Sequence, residues 1–180
     1  KVTGNNVAKI QSDEVMVYLN GFNPGKYPNY PSIKTNHFIQ IQSAALMEII
    51  KQTTFAVSKS ETRPVLTGVN MSFKGNKLTC VATNSHRLAL RKVPINSQIE
   101  ASFIVPGASL TELTKLMNNE KDLIHIYILD NYIVFKSSTT SLYSRLIEGN
   151  FPGISKLIPA DSKTIMILDT VKLLKAIDRS

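Results

Sequence analysis

The stretch Phe38-Ile39-Gln40-Ile41-Gln42-Ser43-Ala44-Ala45-Leu46 changes from one hydrophobic period to another within a few residues. Its first part alternates apolar and polar side chains, which is typical of a strand with one buried face. From Ser43 to about Thr54 the apolar side chains recur at helical spacing instead. Leu46, Ile49 and Ile50 then fall on one face. We therefore expect a strand that leads directly into an amphipathic helix.

The same order of features returns later in the chain. Tyr27-Pro28 recurs as Phe151-Pro152, 124 residues further on, and each pair is followed by a loop, a predicted strand and a helix. The later strand is Thr164-Ile165-Met166-Ile167, and Asp169 suits the N-cap of the later helix. A repeat of this length indicates repeated domains rather than the units of roughly 20–50 residues found in solenoids.

The helices of the two copies share a Leu-x-x-x-Ile pair, Leu46 with Ile50 and Leu173 with Ile177. The sequence opens without Met and closes within a helical pattern, so we expect a piece of a longer protein. The predicted parts are 1–34 as the end of one domain, 35–160 as a complete middle domain and 161–180 as the start of a third.

The predicted middle domain contains a weaker internal repeat of strand, helix and hairpin. Its first half has the strand and helix quoted above and a hairpin that turns at Gly75-Asn76. Its second half has a strand at Phe103-Ile104-Val105, a helix from about Gly107 to Met117 and a hairpin that turns at Asp130-Asn131. Both turn dipeptides tolerate positive φ, as two-residue hairpins require. The pattern predicts an α+β fold with two helices per domain packed on mostly antiparallel sheets.

The composition favours some classes of protein and excludes others. A net charge of +8, from 21 Lys and Arg against 13 Asp and Glu, favours a polyanionic partner such as nucleic acid, although a solvated basic surface is the alternative. Cys80 is the only cysteine, which excludes an internal disulfide framework and fits a reducing cytoplasm. The sequence has no apolar run near the ~18 residues of a membrane helix.

The sequence offers little for catalysis or for metal binding. It has no phosphate-loop or dinucleotide motif and no Cys or His pair at metal-ligand spacing. His37, at the start of a predicted strand, and His125, in an apolar run, are interpreted as structural. Ser85 or Thr83 could act as a nucleophile with His86 as its base, but neighbours on an extended strand, such as Ser85 and His86, point to opposite faces. No carboxylate lies nearby in the sequence to orient the imidazole, so we do not expect catalysis.

Cations lie on the polar faces of the predicted helices. Lys51 lies opposite the apolar stripe of the first helix, and Lys115 lies opposite that of the second. The third predicted helix carries Lys172, Lys175 and Arg179 on one face. Such faces are either solvated surface or surfaces that neutralise phosphates without reading bases. No aromatic residue is interleaved with these cations, so base stacking is not favoured there.

The segment Ala82-Thr83-Asn84-Ser85-His86-Arg87-Leu88-Ala89 resembles the Ala-Thr-Asp-Ser/Gly-His-Arg-Leu-Ala motif in the middle domain of bacterial DNA sliding clamps, the beta subunits of the DNA polymerase III holoenzyme. Asn84 departs from the Asp of that motif. Further resemblances follow the family order, at Thr62-Arg63-Pro64-Val65-Leu66-Thr67-Gly68-Val69, at Ile104-Val105-Pro106, at Leu146-Ile147-Glu148-Gly149-Asn150-Phe151-Pro152, and at 169–180 for the opening helix of the third domain.

The resemblance implies the DNA-clamp fold and a processivity factor without catalytic residues or a cofactor. In that family, three similar domains per subunit join head to tail in a homodimeric ring around duplex DNA, with helices lining the hole. It therefore implies DNA-facing positions for Lys51, Lys115, Lys172, Lys175 and Arg179. A basic DNA-binding module without a ring is the alternative, in which the cations of the third predicted helix contact phosphates directly.

The family also binds partners in an apolar groove between its middle and third domains. The replicative polymerase, the clamp loader and repair proteins insert short peptides that carry a glutamine and bulky apolar residues. By matching motifs, the resemblance implies that the groove residues here are Leu66, Thr83, Ser85, His86, Arg87, Leu88, Pro152, Lys156 and Leu157. Simple core packing is the alternative interpretation of Leu66 and Leu88.

Overall fold

A computed structural model describes residue 2, residues 6–117 and 121–154, residue 158 and residues 161–179. Runs of three or four strands are separated by single helices in this part of the chain. In order they are β1 (Val7–Ser12), β2 (Val15–Asn20), β3 (Ile39–Gln42), α1 (Ser43–Thr54), β4 (Gly68–Lys74), β5 (Lys77–Thr83), β6 (Leu88–Pro94), β7 (Ala101–Pro106), α2 (Gly107–Leu116), β8 (Leu123–Ile128), β9 (Tyr132–Lys136), β10 (Ser141–Arg145) and α3 (Thr170–Ile177). Short 3-10 helices lie at Pro24–Lys26 and Pro64–Thr67.

Two four-stranded antiparallel sheets form the body of the molecule, with the orders β10-β9-β8-β3 and β6-β5-β4-β7. Each sheet combines three strands of one half-repeat with a single strand of the other. β3 from the first half pairs with β8, and β7 from the second half pairs with β4. Isolated bridges from Gln40 to Asn96 and from Ile104 to Ile147 link the edges of the two sheets. The two halves are therefore joined by an exchange of strands.

The helices α1 and α2 pack against each other and on the sheets. Leu46, Ile49 and Ile50 of α1 are buried, as the helical spacing predicted. Leu110 and Leu113 of α2 are buried in the same core. Burial of each such side chain stabilises the fold by about 1.5–3 kcal/mol. This layer therefore holds the sheets, and the turns at their ends, in fixed positions.

The two predicted hairpins are present, but their turns differ. Gly75 and Asn76 have φ values of 54° and 57°, the left-handed conformation that a type I′ turn requires. The prediction of the same backbone at Asp130-Asn131 is wrong, because neither residue has a positive φ. The Leu129 N–H donates to the Tyr132 carbonyl at 2.8 Å, which closes this turn without left-handed residues.

Two segments flank the sheets. β1 and β2 form an antiparallel hairpin before β3. The predicted N-cap Asp169 starts α3, and its carboxylate accepts the Lys172 N–H at 2.9 Å. The predicted strand at 164–167 is wrong, since these residues are irregular and the side chains of Ile165 and Ile167 are exposed. A strand needs a neighbour for its backbone hydrogen bonds, and no strand in the described ranges pairs with this segment.

Candidate functional site

The polar segment at 82–89 forms the turn that connects β5 with β6. The Thr83 hydroxyl donates to the Arg87 carbonyl at 2.8 Å, and the Asn84 N–H donates to the same carbonyl at 3.3 Å. The side-chain oxygen of Asn84 accepts the N–H groups of His86 and Arg87 at 3.1 and 3.0 Å. The amide oxygen of Asn84 thus closes the turn at the position where the Ala-Thr-Asp-Ser/Gly-His-Arg-Leu-Ala motif has Asp.

Ser85 and His86 lie at the exposed tip of this turn. Ser85 has a φ of 76°, a left-handed conformation that costs roughly 1–2 kcal/mol for a residue with a Cβ atom. The expectation of an extended strand here is therefore wrong. Within the part of the chain that the structure describes, no hydrogen bond joins the two side chains and no carboxylate pairs with His86. The turn does not assemble a nucleophile with its base.

A cavity of about 500 Å³ opens beside the turn. Its lining comes from the turn itself, from the 3-10 helix at 64–67 and from the segment that follows β10. The predicted groove residues that line it are Leu66, Thr83, Ser85, His86, Arg87, Leu88 and Pro152. Lys156 and Leu157, the other two predicted groove residues, lie outside the described residues. The fold thus brings residues from distant parts of the sequence to one concave surface.

Three lining residues were missed by the sequence reasoning, namely Arg63, Val65 and Ile158. Arg63 and Val65 belong to the stretch that resembles the sliding clamps, and their closeness to Leu66 was the available signal. The 3-10 helix fixes this stretch, since the Leu66 N–H donates to the Arg63 carbonyl at 3.0 Å. The Ser58 N–H donates to the Leu66 carbonyl at 2.7 Å and holds the helix from the other side.

The cavity has an apolar floor and a cationic rim. Leu66 is buried and Leu88 is half-buried, whereas Arg63 and Arg87 are exposed. The Arg87 guanidinium lies 5.7 Å from the centroid of the Phe55 ring, a cation–π contact that orients it. Among the described lining residues there is no carboxylate. A concave apolar surface with a few convergent polar groups is typical of a ligand or peptide site.

The predicted DNA-facing cations lie on exposed helix surfaces. Lys51 is on α1 and Lys115 is on α2, and these two helices pack side by side. The Lys115 ammonium lies 2.7 Å from the Glu112 carboxylate. The remaining three are Lys172 and Lys175 on α3 and Arg179 just after it. Over the described ranges, no ion pair to a carboxylate involves Lys51 or these three.

The two histidines interpreted as structural occupy different surroundings. The prediction that His37 begins a strand is wrong, because it is exposed before β3 and its N–H donates to the Thr35 hydroxyl at 3.0 Å. His125 lies on β8 with its Nε2 atom 2.8 Å from the Gln40 side-chain nitrogen. Where residues are described, no group of three or more His, Cys, Asp or Glu could hold a metal ion.

No helix that the structure describes is both long enough and apolar enough to pass through a membrane.

The family model for the central domain of the DNA polymerase III beta subunit matches residues 40–153. The chain is 44% identical over 173 residues to the Beta sliding clamp of Bacillus subtilis, covering 95% of this chain and 46% of that relative. It is 39% identical over 178 residues to the Beta sliding clamp of Halalkalibacterium halodurans, covering 97% and 47%. The chain therefore spans about half the length of these relatives.

Solved structures of a sliding clamp and of a DNA polymerase III beta chain share the fold of this chain. A DNA polymerase sliding clamp from Bacillus subtilis superposes with a TM-score of 0.91 at 42% identity, covering 99% of this chain and 48% of that chain. The DNA polymerase III beta chain from Streptococcus pneumoniae gives a TM-score of 0.85 at 31% identity, covering 99% and 48%. The predicted α+β clamp fold is thereby confirmed.

Proposed function

The chain belongs to the DNA polymerase III beta subunit family, and from that premise we propose that it is part of a processivity factor for DNA replication. The whole protein would be a homodimeric ring that encircles duplex DNA in the cytoplasm and holds the replicative polymerase on it. Residues 1–34 would close its first domain, 35–160 would form the middle one and 161–180 would open the third. The matched family region, 40–153, covers both four-stranded sheets except for Ile39, and it supports the middle part of this division.

The groove is the observation that carries the proposal. Leu66, Leu88 and Pro152 come from three separate segments and meet at one cavity with an apolar floor. We propose that this cavity, with Lys156 and Leu157, binds short peptides of the replicative polymerase, the clamp loader and repair proteins. The bulky apolar residues of such a peptide would fill the floor, where most of the binding energy of an interface is concentrated. The exposed arginines of the rim would orient its polar groups.

The DNA contact in this proposal is weak and independent of sequence. Lys51, Lys115, Lys172, Lys175 and Arg179 would face phosphates, and such contacts release counterions without reading bases. Lys115 would contribute least, because the Glu112 carboxylate already lies beside it. A ring holds DNA by topology, so it needs neither a tight grip nor a covalent step, and we propose that the chain is not catalytic.

A basic DNA-binding module without a ring accounts for the cations but gives no role to the cavity. The two proposed functions therefore predict different effects of a substitution at Leu88, which lines the cavity at the start of β6. We expect Leu88→Ala to weaken binding of a labelled peptide with a glutamine and bulky apolar residues about tenfold, a loss of about 1.4 kcal/mol. Fluorescence anisotropy with the 180-residue chain would measure this.

Leu90→Ala is the matched control, because Leu90 lies two residues further along β6, is exposed and does not line the cavity. It should leave the affinity unchanged. Arg87→Ala provides a second test at an exposed rim position, where unfolding is not a concern. Peptide binding as tight in Leu88→Ala and Arg87→Ala as in the unmodified chain would contradict the groove assignment.

A further inference from the structure

The sheet β10-β9-β8-β3 has one face toward the core and an outer face that points away from it. Along each strand the residues alternate, so that Ile39, Ile124, Ile126, Ile133 and Phe135 are buried in the core. The opposite face carries the intervening residues. Besides Tyr132 on β9, the aromatic residues of that face are Phe38 just before β3, His125 and Tyr127 on β8, and Tyr143 on β10. We call this set, together with Tyr30, the aromatic face.

The rings of the aromatic face contact one another in two groups. The Phe38 ring centroid lies 4.5 Å from that of His125 and 5.6 Å from that of Tyr127. The Tyr30 ring, from the segment before β3, lies 5.3 Å from the Tyr143 ring. Pairing puts Tyr127 opposite Val134 and Val134 opposite Tyr143, so these positions form one row across the sheet, in which Val134 is fully buried between the rings. With strands about 4.8 Å apart, the row from Phe38 to Tyr143 spans about 14 Å.

Charge on this face has one sign. Lys136 on β9 and Arg145 on β10 point outward in the same alternation and are exposed. Neither forms an ion pair with a carboxylate in the described part of the chain. None of the outward positions on the four strands is an Asp or Glu, and the nearest acids, Asp122 and Asp130, lie beyond the strand ends. The face thus combines rings with cations in adjacent rows.

We propose that the aromatic face binds single-stranded DNA by stacking two or three bases on its rings. Phe38 and Tyr30 are exposed, whereas His125, Tyr127 and Tyr143 are half-buried. Rings on a four-stranded antiparallel sheet stack bases in this way, and neighbouring cations pair with the phosphates. Duplex DNA hides its base faces and cannot use the rings. We choose DNA over RNA because the family is one of DNA polymerase subunits. The face shares no residue with the groove cavity, which lies at the end of the other sheet.

The test measures the anisotropy of fluorescein-labelled oligo(dT) of about 12 nucleotides, a length within the site size of single-strand binders. Phe38→Leu and Tyr143→Leu remove the rings but keep an apolar side chain. We expect each to weaken binding about tenfold, with the salt dependence unchanged. Lys136→Ala should instead lower the slope of log affinity against log salt by about 0.7, one phosphate contact on a single strand.

Phe22→Leu is the control, because Phe22 is an exposed ring outside the aromatic face. It should bind oligo(dT) as the unmodified chain does. Thermal unfolding checks each variant, and Phe38, which is 41% exposed, keeps the test valid if Tyr143→Leu fails to fold. Unchanged affinity in Phe38→Leu would overturn the proposal.

Two other nucleic acids complete the experiment. Equal or tighter binding of a linear duplex of the same length would overturn stacking and would favour the basic non-ring module instead. Tighter binding of oligo(U) than of oligo(dT) would overturn the choice of DNA. Peptide binding in the groove should not change in any aromatic-face variant, so failure here leaves the proposed groove function standing.

Discussion

The helices α1 and α3 carry the same Leu-x-x-x-Ile spacing in different surroundings. In α1 the side chains of Leu46 and Ile50 are 0% and 2% exposed, beneath the sheets. In α3 the corresponding Leu173 and Ile177 are 43% and 59% exposed. The two helices also begin differently. No side chain caps α1 at Gln42, whereas Asp169 caps α3 with a hydrogen bond.

The difference shows which interactions stabilise each helix. The apolar spacing predicts a helix in both places, but only a covering sheet turns that spacing into buried area. α1 is therefore stabilised mainly by tertiary packing, as are most helices in proteins. α3, with its apolar stripe exposed, relies on local interactions such as its cap. Three measurements test this contrast between α1 and α3.

Truncation of the equivalent leucines should give the largest difference. We expect Leu46→Ala to lower the free energy of unfolding by about 3 kcal/mol, because it removes buried atoms and leaves a cavity. Leu173→Ala, the matched variant, should change it by no more than about 0.5 kcal/mol. Urea denaturation of both variants would measure this. Equal losses would show that α3 is as deeply packed as α1.

The pH dependence of stability should show how well α1 excludes water from the strand beneath it. Cys80 lies in the core on β5, against which α1 packs, and burial raises the pKa of its thiol. Below about pH 8.5 the thiol is protonated in both states. Above that pH the unfolded chain releases the proton and the folded chain keeps it, so stability falls as pH rises, by about 1.4 kcal/mol per unit for this group.

The control for this effect is Cys80→Ala, measured by urea denaturation at the same pH values. The variant should lose this share of the pH dependence, whatever its stability at neutral pH. The substitution removes only the thiol, so the difference in pH dependence between the two proteins isolates its contribution. Identical dependence on pH in the two proteins would mean that water reaches Cys80 in the folded state.

Removal of the cap should give the smallest effect and should act on α3 alone. Asp169→Ala deletes the acceptor of the Lys172 N–H and should destabilise α3 by about 1 kcal/mol. Faster amide hydrogen exchange in the first turn of α3 would report this. Asp161→Ala, an exposed acid in the same region, should leave the exchange unchanged. Gln42→Ala should leave the exchange in α1 unchanged, because its side chain makes no capping hydrogen bond, and faster exchange there would contradict the contrast.

Local features of the fold could be predicted from the sequence, and pairings between distant segments could not. The spacing of Leu46, Ile49 and Ile50 predicted a buried helix face, and Gly75-Asn76 predicted its turn, because both depend on adjacent residues. The strand at 164–167 was predicted from alternation alone and fails because nothing in the described chain pairs with it. The exchange of β3 and β7 between the halves leaves no local signal.

The candidate sites divide in the same way. The groove residues were expected from motifs that resemble a known family, so Arg63 and Val65 were missed although they adjoin Leu66. The aromatic face was missed because Phe38 lies just before β3, whereas Tyr127 and Tyr143 lie on β8 and β10. Tyr127 lies between two apolar neighbours, as the sequence shows, but the row that these three residues share follows only from the strand order.

The strand exchange also has a consequence for the newly made chain. β3 and its partner β8 bring together Gln40 and His125, which are 85 residues apart. Contacts between residues this far apart in the sequence close large loops. They slow folding because the entropy of loop closure is lost before the contacts contribute any free energy. During synthesis, β3 and α1 leave the ribosome well before β8 exists to complete their sheet. Neither half can complete its sheet alone. The apolar surface of the first half therefore stays exposed until the second half has left the ribosome.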